Sequence, residues 1–220
     1  MTVVLDIWTV RPTAVPRAFW RMARDPRRLA HVDDLDFHKS LGTGAGRRFT
    51  ARDADLRQWA LLTCWSGPDD ALAPTLGKWN ALAEGHTRFT MAAIASHGRW
   101  SGVEPFTPDP AFARHDGPIA AITRARVRTG LWRSFQRAVP PVASALHATD
   151  GLLYRIGIGE APIGLQGTFS VWRDAAALRS FAYESPEHVA VIEQTRSTGW
   201  YSEELFARFA VLDVSGDSPW

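Results

Sequence analysis

GVEPFTPDPAFARHDG, residues 102–117, carries prolines at 105, 108 and 110 and no sustained hydrophobic period, so it reads as a connection between two folded halves. Working outward from it, the same order of elements recurs on both sides. Upstream, Val3, Leu5 and Ile7 alternate as in a strand that ends at Arg11-Pro12. Val15, Ala18, Phe19, Met22 and Ala23 then repeat at helical spacing, with Arg17, Arg21 and Arg24 on the other side, and the helix is expected to stop near Pro26. Strands follow over 35–41 and 56–65. A second helical region opens at Gly67-Pro68-Asp69-Asp70 and contains Leu72, Leu76, Trp79 and Leu82, and a fourth strand covers 89–94. Downstream the reading is a strand over 119–127, a helix over 131–146 interrupted at Pro140-Pro141, and strands over 152–158 and 168–172. Two helical pieces between 175 and 198 and a strand over 205–214 complete it.

Each side spells βαββαβ, the ferredoxin-like unit. The expected fold is therefore α+β, with tandem ferredoxin-like repeats packed face to face as a pseudo-dimeric α+β barrel. Residues 1–102 form one half, 103–117 the linker and 118–220 the other half, in one compact unit. Local sequence echoes the repeat: Phe37-His38-Lys39 parallels Tyr154-Arg155-Ile156, and Thr63-Cys64-Trp65 parallels Ser170-Val171-Trp172.

The bulk numbers bound the function. With 45% hydrophobic and 22% charged residues in 220, the chain is globular and long enough to bury a large core. A net charge of only +2, despite a pI of 9.0, leaves no basic arm for nucleic acid. The single cysteine, Cys64, excludes an internal disulfide and fits a reducing compartment. The opening MTVVLDIWTV has no basic region ahead of a long apolar core. Neither a signal peptide nor a transmembrane span is expected, and a cytoplasmic location follows.

Chemistry-bearing residues concentrate in the second half. In SPEHVAVIEQTRSTGWYSEELFARF, residues 185–209, the run Ser185-Pro186-Glu187 suits a helix start. His188, Val191, Ile192 and Thr195 then share the apolar face of a helix that stops at Gly199. A histidine there is either a hydrogen-bonded core residue or an axial metal ligand. The positive helix end favours the neutral ring that ligation needs. Arg196 lies about two turns further on the same helix, or pairs with Glu193 at the surface. Arg124, Arg126 and Arg128 alternate along one strand, so their shared face meets solvent, carboxylates or a bound anion. Glu203, Glu204 and Arg208 suit ion-pair or turn-fixing roles. His38, in a strand, is the rival ligand, whereas His31, His86, His97, His115 and His147 fall in loops or helix ends. No HxxxH, HxH or facial-triad spacing is present. The glycine-rich run from Gly42 to Arg48 reads as a hairpin connection, because no helix follows that could receive a phosphate.

FSVWRDAAALRSFAYESPEHVAVIEQTRSTGWYSEELFARF, residues 169–209, resembles the spheroidene monooxygenase family of haem-dependent carotenoid oxygenases. The likeness extends upstream through Leu41-Gly42-Thr43-Gly44, Gly98-Arg99-Trp100-Ser101-Gly102 with Pro105-Phe106, Ile122-Thr123-Arg124-Ala125, and Gly157-Ile158-Gly159-Glu160-Ala161-Pro162. This resemblance implies haem b with His188 as the iron ligand and Arg196 near the haem rim. It implies Arg124 or Arg126 holding a propionate or polarising dioxygen, and Gln166 and Ser170 as distal hydrogen-bond donors. The implied reaction oxidises an apolar, carotenoid-like small molecule with dioxygen and electrons from a donor such as a ferredoxin. A homo-oligomer is open. Two other readings stand beside it: a haem enzyme of another type, aldoxime dehydratase-like or peroxide-using, and a non-catalytic haem- or small-ligand-binding module.

Overall fold

The computed structural model describes residues 1–45, 53–135, 137, 149–160, 165–184 and 198–219. Its first half contains β1 (Thr2–Val10), α1 (Val15–Leu29), β2 (Leu35–Gly44), β3 (Ala54–Trp65), α2 (Ala73–Asn80) and β4 (Ala83–Gly98). The second contains β5 (Ile119–Val127), β6 (Leu152–Gly159), β7 (Leu165–Trp172), α3 (Ala175–Glu184) and β8 (Tyr201–Gly216). A helical turn also begins at Trp132, where the sequence places the first helix of this half. The strands close into an antiparallel barrel in the order β1-β3-β2-β6-β7-β5-β8-β4. Within each half the order is thus β4-β1-β3-β2 and β8-β5-β7-β6, the ferredoxin-like arrangement expected from the sequence.

The repeat is kept down to register. Phe37 pairs with Cys64 after a slip following Leu35, and Tyr154 pairs with Val171 after the same slip following Leu152. Residues that echo one another in sequence therefore occupy equivalent places in the two sheets. Alternation sorts side chains into two sets. Inward residues such as Leu5, Leu62, Phe89, Ile122, Phe169 and Phe209 fill the barrel. Outward residues Val4, Trp8, Trp59, Leu61 and Trp65 pack with Ala18 and Leu29 of α1 and Trp79 of α2, while Trp172 packs with Ala177 and Phe181 of α3.

Two seams join the halves, and they differ in length. Between β4 and β8 the ladder runs from Thr87↔Gly216 to Gly98↔Leu205, whereas among the described residues β2 and β6 share only Gly42↔Gly159, Thr43↔Ile158 and Gly44↔Gly157. Gly42 to Gly44 is therefore strand and not hairpin loop, because these residues find partners in the other half. Residues 46–48 of that run lie outside the described residues. The connection 102–117 is anchored too: Phe106 is buried in the barrel core, 4.9 Å edge-to-face from Phe209, and the Asp109 amide donates to the Ala93 carbonyl at 2.8 Å.

Helix α1 departs from its expected orientation. It runs through Pro26 to Leu29, and Arg21 and Asp25 are buried while Phe19 and Ala23 face solvent. The reason is a polar contact: one terminal nitrogen of Arg21 donates to both Asp25 oxygens at 2.9–3.0 Å and Trp79 Nε1 donates to Asp25 at 2.9 Å, so the buried carboxylate finds its partners inside. That rotates the apolar stripe read from the sequence partly into water.

A shared core makes the halves interdependent. Limited proteolysis of the native protein should yield no fragment ending within 102–117 that unfolds cooperatively by itself. Recovery of two such fragments, each with its own unfolding transition, would count against the common barrel core.

Candidate functional site

At one end of the barrel the inward positions turn from apolar to charged. Along β5 the inward series is Ala120, Ile122 and Arg124, and Arg124 is only 2% exposed. The equivalent place in the first half is Ile7, which pairs with Ala60, whereas Arg124 pairs with Gly167. Glycine is needed there. A Cβ at Gly167 would sit 2.7 Å from the Thr123 carbonyl and 3.3 Å from the Arg124 Cβ.

Arg124 is held by carboxylates from two other strands. Its NH1 pairs with Glu203 Oε1 on β8, and its NH2 lies 3.3 Å from Glu160 Oε1, just past β6. Glu160 also accepts from Trp100 Nε1 at 2.7 Å and pairs with Lys39 Nζ of β2 at 2.9 Å. Lys39 in turn donates to Ser101 Oγ at 2.7 Å. The Trp100 ring lies 5.6 Å beneath the Arg124 guanidinium carbon, a cation–π contact, and 5.7 Å edge-on from Phe37. The link from Lys39 to Glu160 crosses the short seam, so the network ties together the halves where the ladder is weakest.

Glu203 has a second task. The consecutive amides of Ser101 and Gly102 donate to its two oxygens at 3.1 and 2.7 Å. Presenting both amides puts Ser101 at φ 56 and Gly102 at φ 81, the left-handed region, which costs a serine on the order of 1–2 kcal/mol. Burial pushes the Glu203 carboxyl upward, but the Gly102 amide, the Arg124 guanidinium and the Ser101 amide outweigh it and hold the group below the usual glutamate range.

Five separated stretches meet here. Residues 41–44 and 157–160 form the short seam and supply Glu160, 98–102 supply Trp100 and the two amides, 122–125 supply Arg124, and 200–209 supply Glu203. These are the motifs on which the family likeness rests. Of the network, sequence reasoning singled out Arg124 for chemistry and Glu203 for an ion-pair or turn role. It missed Lys39, although Lys39 is one of only two lysines in an arginine-rich chain and so carried a signal.

Of the remaining candidates, Arg126 is exposed two residues beyond Arg124, and Arg128 lies past the strand end, its Nε donating to the Tyr201 carbonyl at 3.2 Å. The three arginines therefore do not form one row. Ser170 is buried on the outward face, accepting from Trp172 Nε1 at 3.0 Å, so it and Arg124 lie on opposite faces of the sheet. Gln166 pairs with Ala125 through its backbone. His188 and Arg196 lie outside the described residues. His38 is tied to α1, its Nε2–H donating to the Pro26 carbonyl at 3.1 Å. Burial, partly offset by that bond, keeps its pKa low. Among the described residues no group of three or more His, Cys, Asp or Glu is placed to hold a metal ion, and no helix is long and apolar enough to cross a membrane.

The outward faces of the two sheets differ in bulk. Where β1 and β3 present Val4, Trp8 and Leu61 to α1 and α2, the register-equivalent positions of β5 and β7 are Ala121, Ala125 and Thr168. Ala121, Ala125 and Ser170 are buried, and Thr123 between the alanines is exposed. The second half thus lines this face with small side chains where the first half has a filled indole layer.

No protein-family model matches the chain. It is 31% identical to the spheroidene monooxygenase of Rhodobacter capsulatus, across 93% of its own length and 87% of that protein. With the spheroidene monooxygenase of Cereibacter sphaeroides it shares 30% identity across 98% of its length and 68% of the relative. Among solved structures, an aldoxime dehydratase in complex with butyraldoxime superposes with a TM-score of 0.57 at 12% identity, covering 96% of this chain and 79% of that one. At that identity the likeness establishes a common fold.

Proposed function

Because the chain belongs to the spheroidene monooxygenase family, and is on that ground an oxidoreductase of the monooxygenase type, we propose that it oxidises an apolar, carotenoid-like small molecule with dioxygen. We place haem b on the outward face of the C-terminal sheet, with His188 as its axial ligand. The observation that carries the reaction class is identity at the 30% level across nearly the whole chain. Support for the cofactor's place is the floor of Ala121, Thr123, Ala125 and Thr168: a planar macrocycle needs a flat surface free of large side chains, and the matching face of the first half is closed by Trp8 and Leu61.

When bound, haem supplies the oxidising power, one oxygen atom entering the substrate and the other leaving as water with two electrons from a donor such as a ferredoxin. The chain's own residues orient and donate. Ser170 accepts from Trp172, which leaves its hydroxyl proton to be donated on the floor. Gln166, next to Ala125 in register, is the second donor in this reading. Arg126 shares the inward face of β5 with Arg124, opposite the floor, so the counter-charge for a propionate in this reading is Arg196. Arg124 is a positioning residue, since both its terminal nitrogens are engaged by Glu203 and Glu160.

Absorption spectra of the purified protein, oxidised and reduced, should show a Soret band that shifts on reduction. Oxidation of an apolar polyene should then require both dioxygen and the reduced donor. Conversion of an aldoxime without dioxygen would replace this reading with the dehydratase one. A Soret band with no turnover of either substrate would leave a haem-binding module.

A further inference from the structure

Helix α1 turns an unusual face to solvent. Trp20 is 53% and Phe19 48% exposed, and Arg17, Arg24, Arg27 and Arg28 surround them, all exposed. The only acidic residue of the helix, Asp25, is buried against Arg21 at 2.9 Å, so the inward side is neutralised and the outward side is wholly cationic. None of the four outward arginines meets a carboxylate within ion-pair distance among the described residues. Arg24 lies 4.8 Å over the Trp20 ring, and Trp20, Ala23, Arg24, Arg27 and Arg28 line a surface recess of about 520 Å³.

Helix chemistry accounts for part of this. Arg27 and Arg28 sit in the last turn, where cations complement the helix dipole. Phe19 packs edge-on 4.8 Å from Trp59, but neither that contact nor the dipole gives a reason to leave the Trp20 indole in water beside them. Large aromatics exposed among guanidinium groups suit a surface that is both apolar and anionic: the ring enters the interface while the guanidinium forks onto phosphate. We propose that this face of α1 docks the protein reversibly onto anionic lipid bilayers, with Trp20 entering the headgroup layer and Arg24, Arg27 and Arg28 binding lipid phosphates. Nucleic acid fits less well, because it would need a longer basic track and the net charge of the chain is only +2. The inference stands apart from the oxidation chemistry. Bilayer binding is read without turnover, so its failure would leave the monooxygenase reading intact.

The test is co-sedimentation of the full chain with vesicles of phosphatidylcholine alone and with about one-third phosphatidylglycerol, at low and high salt. Binding is expected only with the anionic lipid, and it should weaken as salt rises. The triple change Arg24→Gln, Arg27→Gln and Arg28→Gln should lower the affinity by at least about tenfold, and Trp20→Ala by several-fold, with the far-ultraviolet spectrum unchanged because these side chains are exposed. Arg114→Gln, an exposed arginine elsewhere, should bind as wild type. Equal binding to both vesicle types, no binding to either, or full binding by the triple variant would overturn the proposal. Duplex DNA binding that the triple change abolishes, without vesicle binding, would reassign the face to nucleic acid.

Discussion

Arg124→Met is expected to lower the free energy of unfolding by about 3–5 kcal/mol, a large share of the roughly 5–15 kcal/mol typical of a folded protein. The substitution keeps much of the side-chain volume but leaves Glu203 and Glu160 facing one another with their common cation gone. Lys39 still compensates Glu160, whereas Glu203 retains only the Ser101 and Gly102 amides. Glu203→Gln should cost less, because a neutral amide is easier to bury, and combining it with Arg124→Met should recover part of the loss. The pH dependence has a definite sign. Glu203 is depressed in the folded state, so its contribution is complete above the ordinary glutamate pKa of 4.5 and is lost as pH falls through the lower folded value. Glu203→Gln should therefore flatten the acid limb of the stability profile. Denaturant unfolding at neutral pH and near pH 4 measures both effects. If Arg124→Met unfolds within about 1 kcal/mol of wild type while substrate oxidation is lost, Arg124 acts on a bound group and not as the clasp of the barrel.

How far the sequence reveals this structure depends on where each signal resides. β5 is found with its ends in place because the apolar run Ile119–Ile122 and the alternation from Arg124 to Val127 both read as strand and Gly117-Pro118 marks its start. β4 is read as 89–94 but spans Ala83–Gly98, since its outer residues are held by β1 and β8, partners far away in the chain. Likewise β8 begins at Tyr201 and not near 205, so Glu203 and Glu204 are strand residues on alternate faces. Arg124 shows the limit most sharply. Three alternating arginines say that a charge must be met, but Glu160 is 36 and Glu203 79 residues away, and only barrel closure brings them in. In α1 the hydrophobic period places Phe19 inside, and the Arg21–Asp25–Trp79 contact, invisible to a pattern of apolar residues, rotates the helix the other way. The small-residue floor could have been read beforehand by laying the two repeats side by side: Trp8 opposite Ala125, Leu61 opposite Thr168.

On the proposed placement of haem, His188→Ala should leave a folded protein with most of the haem lost. Expected are a fall in bound haem of at least about tenfold, or a spectrum of weakly ligated iron, with unfolding in the cofactor-free state close to that of cofactor-free wild type. Added imidazole should partly restore the Soret band by supplying the missing ring. These outcomes distinguish a ligand from a core residue. A buried histidine that only satisfies a hydrogen bond would cost about 1–3 kcal/mol on truncation and leave the haem spectrum untouched. His38→Ala provides the internal contrast, because His38 donates to the Pro26 carbonyl beneath α1 and its loss should weaken that packing without changing haem content. Measuring both variants by pyridine haemochrome and by denaturant unfolding separates the two kinds of loss. An unchanged axial-ligand spectrum in folded His188→Ala protein would remove His188 from the iron, and with it the assignment of the C-terminal floor as the haem site. The family relation and the Arg124 network would stand, since neither depends on that residue.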